Sequence, residues 1–567
     1  MACAAMLGSA KMAILGGEMN EITVFTARKI RTMNPPMPEA TAVAVRGDRI
    51  LEVGSLETLA PWLEAHAHTV DERFADLVLM PGFIDPHLHP SMAAVLLPMH
   101  FTTAMEWRLP WQTVPPLRGH NAFLDRLKEI DLSIADPAEP LFAWGHHPIW
   151  HGDVDRATLN GISADRPIIV WHRGFHSLVV NDAALAWMGL SKDEADRHPQ
   201  IDYESGAFFE TGLAVAFRSF NPYTLAPDRF AGGLERLRQV VHHGGHTTIG
   251  DMAAGMFDLD MEWDALVAAL ERDDTPFRVM MVPPALSLTG AGDVGPEAVE
   301  QLGRLAERNT HRLRFTDHVK LFADGGFFSG LMQLQEPGRI AGGHGEWMTP
   351  PETFETAARA YWNAGYKIHV HCSADLGVEL ALDVLEKLQW ERPRFDHRFT
   401  IEHFGISTPE QVRRMADLGA LASVNIYYVY ELSDAYYKHV VGYERASQLS
   451  RLGTLAAHGI PTALHSDFTM APALPLNSAW VAANRIAESG QVMGSEERLS
   501  LDQALRAITI DAAYILGMEH EIGSIRAGKK ADFTVLEQDP YAVPVEALKD
   551  IPIWGTVFEG KPYPIGG

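Results

Sequence analysis

Cysteine is almost missing from this chain: 567 residues hold two, Cys3 and Cys372. Two distant cysteines exclude a disulfide framework and fit a reducing compartment, so the cytoplasm is the expected location. An excess of basic residues is also missing. Forty-seven Lys and Arg face 73 Asp and Glu, a formal net charge of −26. That balance excludes a nucleic-acid partner, because a phosphate backbone requires a basic face. No apolar run approaches the roughly 18 residues of a membrane span, so no membrane association is expected. Internal repeats and low-complexity tracts are absent. The first 17 residues are small and mildly apolar, and Lys11 interrupts them. They lack the basic start and clean apolar stretch of a signal peptide. Residues 1–20 are expected to form a disordered leader, with Met12 or Met19 as other start positions.

What is present is an ordinary globular composition, 47% hydrophobic and 21% charged, with 26 histidines that invite a search for a metal site. The length suits a barrel with additions better than one simple domain. Both ends carry short β-patterned segments. At the start they cover 22–28, 41–46 and 49–53, with Gly47-Asp48 as a turn. Near the end they cover 533–536 and 553–558. Neither group is long enough to bury a core alone, so residues 21–76 and 519–567 are expected to pair into one small β-sandwich.

Between them lie eight apolar, β-branched segments: 77–84, 247–252, 277–282, 318–323, 367–371, 399–403, 421–426 and 462–465. Helix-sized spans separate most of the later ones, which predicts an α/β fold with a (β/α)₈ barrel over 77–90 and 246–518. Residues 352–363 and 376–388 have helical apolar spacing, and a last helix starts at a capping-box pattern, Ser500 to Gln503. The first two segments are separated by residues 91–245. A connection of that size is an inserted α/β subdomain. It is rich in aromatics, with strands expected over 167–171 and 177–180 and a helix near 233–243. Barrel sites sit at the C-terminal ends of the strands, so this insertion should cover the site.

The chemistry begins at Asp85-Pro86-His87-Leu88-His89. In an extended segment, residues i and i+2 point the same way, so both imidazoles can hold one ion. The motif alone is not specific, since His66/His68 and His369/His371 repeat it. Its context adds Lys320, His371, His403 and Asp467, each at the end of a different strand. A buried lysine loses its proton readily, takes up carbon dioxide and becomes a carbamate that bridges two metals as a carboxylate would. Neutral imidazoles suit zinc, and one carboxylate can both touch a metal and move a proton.

The segment Pro81-Gly82-Phe83-Ile84-Asp85-Pro86-His87-Leu88-His89 resembles the opening signature of the amidohydrolase superfamily. Gly523 to Asp532 resembles its C-terminal sandwich motif. Val319-Lys320, Val370-His371-Cys372-Ser373-Ala374-Asp375, Ile401-Glu402-His403, Ser466-Asp467, and His176 to Asn181 with Ser205-Gly206 to Glu210 resemble the YtcJ-like group, amidohydrolase family 3, which includes N-substituted formamide deformylase. The resemblance implies two divalent metals, zinc by preference. His87 and His89 would hold the first and His371 and His403 the second. Carboxylated Lys320 would be the bridge, and Asp467 both ligand and general base. Asp324 and Asp375 are expected as supports of the ligands, His369 is left out, and Cys372 is expected to pack.

The chain departs from the group at His465, at Phe327-Phe328 and at Trp144-Gly145-His146-His147. The expected substrate contacts are Trp144, His146, His176, Phe327, Phe328 and His465. A glycine-rich turn offers little core to two phenyl rings, so at least one of Phe327 and Phe328 should face the pocket. The expected activity is hydrolysis of an amide-type C–N bond in an apolar or aryl-bearing small molecule by a metal-bound hydroxide. The alternatives are a mononuclear deaminase of a heterocycle, against which Lys320 argues, and a non-enzymatic regulator, against which the complete ligand set argues. A homodimer is left open as the assembly.

Overall fold

A computed structural model describes residues 21–285 and 295–566; the leader expected over 1–20 lies outside the described residues. The framework is eight parallel strands. They are β1 (Phe83–Leu88), β2 (His246–Asp251), β3 (Arg278–Met281), β4 (His318–Phe322), β5 (Lys367–Cys372), β6 (Thr400–His403), β7 (Leu421–Asn425) and β8 (Thr462–His465). They fall on the eight apolar segments, because a strand covered on both faces reads as a continuous Val/Ile/Leu-rich run. One parallel sheet carries β1–β3 with the short strand Leu313–Phe315 on its edge, and a second carries β4–β8. The two meet at both edges. On one side Ala285 N–H donates to Lys320 O at 2.8 Å and Lys320 N–H to Pro283 O at 3.0 Å; on the other, Asp467 N–H donates to His87 O at 3.0 Å.

The helices between these strands bury one apolar face against them. Pro351–Asn363 and Asp375–Glu391 agree with the spacing read from the sequence. Thr408 and Gln411 form a reciprocal cap on Pro409–Leu418, which satisfies backbone donors that the helix start leaves free. Ser500 and Gln503 do the same for Leu501–Ala507. The expected last helix is two helices, because Thr509 leaves helical geometry before Ile510–Ile515 resumes.

The chain ends pair into one seven-stranded sheet. Phe25, Val43, Phe74, Val535 and Val557, from both halves of that sheet, share one apolar cluster. Its longest strand, His68–Pro81, includes the stretch 77–81 that the sequence assigns to the first strand of the parallel framework. The chain changes sheets at Gly82. A Cβ there would lie 2.0 Å from Thr247 Oγ1, so only glycine allows this crossing.

The insertion has its own sheet of six strands. Ile168–His172 and Ser177–Val180 are strands as expected and pair antiparallel, while Leu141–His146 on the other side of Ile168–His172 was not foreseen. The helix read near 233–243 begins earlier, at Pro227. Among the described residues no helix is long and apolar enough to cross a membrane.

Candidate metal centre

The C-terminal ends of the parallel strands converge on a cavity of about 420 Å³. His87, His89, Lys320, His371, His403 and Asp467 all line it. Asp467 lies among the imidazoles: its Oδ1 is 3.0 Å from His89 Nε2 and 3.5 Å from His87 Nε2, and its Oδ2 is 3.6 Å from His403 Nδ1. Backbone strain accompanies this arrangement, since Asp467 and His403 both adopt left-handed backbone, with φ of 52° and 71°. Such conformations cost free energy and persist where surrounding structure enforces them.

The ligating atoms of His87, His89 and Asp467 lie within 4.8 Å of one another, and so do those of His87, His403 and His465. Several buried donors here make no hydrogen bond to protein: Lys320 Nζ, both ring nitrogens of His403, His89 Nδ1 and His465 Nε2. An unpaired buried polar atom is costly, and a cluster of them fits a cation-binding centre. Burial, then the charge of Lys320, holds His87 well below the ordinary imidazole range. His371 and His403 are likewise held low, by burial first. Neutral imidazoles are the form that binds a metal. Burial also lowers Lys320, against the pull of Glu402 and Asp467, which favours the free amine.

Three residues at this centre were not identified from the sequence, or were given another role. Glu402 accepts from His87 Nδ1 at 2.7 Å and from His369 Nδ1 at 2.6 Å. His369 in turn meets His318 at 2.8 Å, so a buried line runs from His318 through His369 and Glu402 to His87. Burial would raise the Glu402 carboxyl, but the His369 hydrogen bond and Lys320 hold it at about 2. By occupying His87 Nδ1 it leaves Nε2 turned toward Asp467, the support that metal-ligating histidines commonly receive. Strand alternation hides this role, because Glu402 and His403 are neighbours and should face opposite ways. The left-handed turn at His403 breaks the pleat and brings both to the centre. His465, expected as a substrate contact, does not line the cavity. It is buried beneath the donors, its Nδ1 2.8 Å from Ser423 Oγ and its ring 4.5 Å from that of His87.

The remaining expected residues divide. His176, Phe327 and Phe328 line the cavity. Phe327 also stacks on Tyr428 at 4.1 Å, so the glycine-rich turn does have a core, supplied by the segment after β7. Trp144 and His146 do not reach the cavity. Trp144 packs edge-on against Phe101 and Trp107, and His146 is 3.0 Å from Gly152 O, with burial lowering its pKa to about 4. Every residue of Leu141–His146 is buried, so alternation along it does not mark the cavity side. The neighbouring His147 is the one that touches the site loop, 3.1 Å from Phe328 O. Asp324 accepts from the backbone N–H groups of Ser373, Ala374 and Gln333, and Ser373 Oγ lies 3.1 Å from His371 Nε2. Asp375 accepts from Gln335 N–H and pairs with Arg445. Cys372 is buried in the core.

The sequence profile of the amidohydrolase family matches residues 75–563. The chain is 24% identical to the Arabidopsis thaliana protein LONG AFTER FAR-RED 3, over 94% of this chain and 90% of that one. It is 23% identical to the N-substituted formamide deformylase of Arthrobacter pascens, over 96% and 98%. The fold is shared with a crystal structure described as an uncharacterised metal-dependent hydrolase from Pyrococcus horikoshii. The TM-score is 0.71 at 20% identity, covering 92% of this chain and 99% of that one.

Proposed function

Because the chain belongs to the amidohydrolase family and to its YtcJ-like group, we propose that it hydrolyses an amide-type C–N bond of an apolar or aryl-bearing small molecule. The reaction belongs with hydrolases of carbon–nitrogen bonds other than peptide bonds. The eight strands are read as a closed (β/α)₈ barrel with the site at its C-terminal face. The observation that carries the proposal is the cluster of buried donors without a hydrogen bond to protein on the floor of a cavity with largely apolar walls.

Two divalent ions, zinc by preference, suit this donor set. His87, His89 and Asp467 would hold one, and His371 and His403 the other, with Lys320 bridging as a carbamate. His465 is an additional donor within reach of His87 and His403. When bound, the ions supply Lewis acidity toward a carbonyl oxygen and acidify water. Asp467 is placed to take a proton from that water, and Glu402 fixes the ring of His87. The apolar wall includes Trp171, Phe175, Phe217, Phe327 and Phe328, which exclude water and select an apolar group beside the scissile bond.

The shared membership of His87 in both compact donor groups favours a second reading, a single ion. The relative named as a deformylase supports testing formamides first. The test is turnover by zinc-loaded protein of amides, formamides, carbamates, lactones and cyclic ureides. Metal-dependent turnover of amides and formamides, faster than of the other classes, is expected. Turnover of lactones alone, or release of ammonia from a heterocycle, would contradict the proposal.

A further inference from the structure

His176 stands at the end of Ser177–Val180, and Glu210 follows Ala207–Phe209, the strand paired with it. Glu210 N–H donates to His176 O at 3.0 Å. Both side chains turn into the cavity, where the Glu210 carboxylate lies 2.9 and 3.1 Å from His176 Nδ1. Two left-handed backbone positions flank the pair, Phe175 with φ of 62° and Glu210 itself with φ of 40°. The far edge of the ring lies against Gly326, where a Cβ would approach Nε2 to 2.3 Å. Strain on one side and an obligatory glycine on the other hold this imidazole in one place.

Among the described residues, His176 is the only histidine that lines the cavity without belonging to the proposed metal donors. No described protein group bonds its Nε2. Tyr428 also lines the cavity, with its ring packed against Phe327 and Phe328. Asp467 is occupied by three imidazoles. His176 and Asp467 both line this cavity, His176 from the insertion and Asp467 from the segment after β8.

We propose that His176, oriented by Glu210, is a catalytic residue that the insertion contributes to the barrel, donating a proton from Nε2 to the leaving nitrogen. The inference rests on the amide-hydrolase reading above. As the C–N bond breaks, its electron pair passes to nitrogen. The Nε2–H bond breaks and a new N–H bond forms, so the amine leaves neutral. Glu210 accepts from Nδ1–H and offsets the ring's charge before transfer. Asp467 holds the proton taken from water until solvent removes it, and solvent reprotonates His176. Water thus adds across the amide with no other reactant.

The experiment compares two probes with one acyl group, N-butyl phenylacetamide and p-nitrophenyl phenylacetate, on zinc-loaded wild type, His176→Ala and Glu210→Gln. Nitrophenolate departs without a proton, whereas butylamine requires one. Removing a proton donor typically costs 10²–10⁴-fold. His176→Ala is expected to lose about 100-fold or more in kcat on the amide and less than about threefold on the ester, with zinc content unchanged. Glu210→Gln should show a smaller loss with the same selectivity. Equal losses on both probes would overturn the inference while leaving the amide-hydrolase reading intact. A wild type that turns over neither probe would overturn that reading, and this inference with it.

Discussion

Replacing Glu402 by Gln tests whether the buried line behind His87 supports metal binding. Glu402 is inaccessible to solvent, holds two imidazoles at 2.7 and 2.6 Å, and has its carboxyl depressed from 4.5 to about 2. In the metal-free protein, with Lys320 uncarboxylated and charged, that interval at 1.36 kcal/mol per pH unit corresponds to at most roughly 3 kcal/mol of stabilisation. Because the folded carboxyl is depressed, the contribution is complete above pH 4.5 and is lost as pH falls toward 2. Glu402→Gln should therefore lower the urea midpoint at pH 7, and the gap from wild type should narrow below pH 4.5. Gln can still accept from His87 but carries no charge, so the ring is less firmly held and less basic. Loss of such a supporting partner typically weakens metal affinity 10–100-fold. Competition with a chelator of known zinc affinity reads this directly. A variant with wild-type zinc affinity and an unchanged urea midpoint at pH 7 would refute the reasoning.

Three further outcomes follow from the same geometry. Lys320→Ala should lose most bound metal and activity, with partial rescue by short carboxylic acids; full activity would remove the bridge from the account. Asp467→Asn should keep its circular dichroism and some metal while kcat falls about 10²–10⁴-fold, as for other proton-transfer groups. Phe328→Ala should raise KM for a large aryl amide roughly 10–200-fold, the equivalent of about 1–3 kcal/mol, and spare a minimal formamide. Equal effects on both substrates would show that the ring only supports its loop.

The eight parallel strands were legible because each is a continuous apolar run that alternation with helices makes periodic. The boundary of the first was not. Residues 77–84 are apolar almost throughout, and the change of sheet at Gly82 depends on a contact with Thr247 that lies far away in sequence. The residues that converge on the cavity were legible because histidine, lysine and aspartate are uncommon in buried strands. Glu402, His369 and His465 were not read as part of the centre. Their roles depend on a left-handed turn at His403 and on which ring nitrogen faces which neighbour, neither of which is visible in residue spacing. Trp144 and His146 were misplaced for the opposite reason. Their strand is buried on both faces, so its aromatic character marked the core of the insertion and not the cavity.

The central claim is a two-ion centre that performs the hydrolysis, and elemental analysis of protein made in zinc-replete medium tests it most directly when joined to activity before and after chelation. The account predicts close to two zinc equivalents per chain, loss of activity on their removal and its return on readdition. An active protein carrying no more than a trace of metal would contradict it.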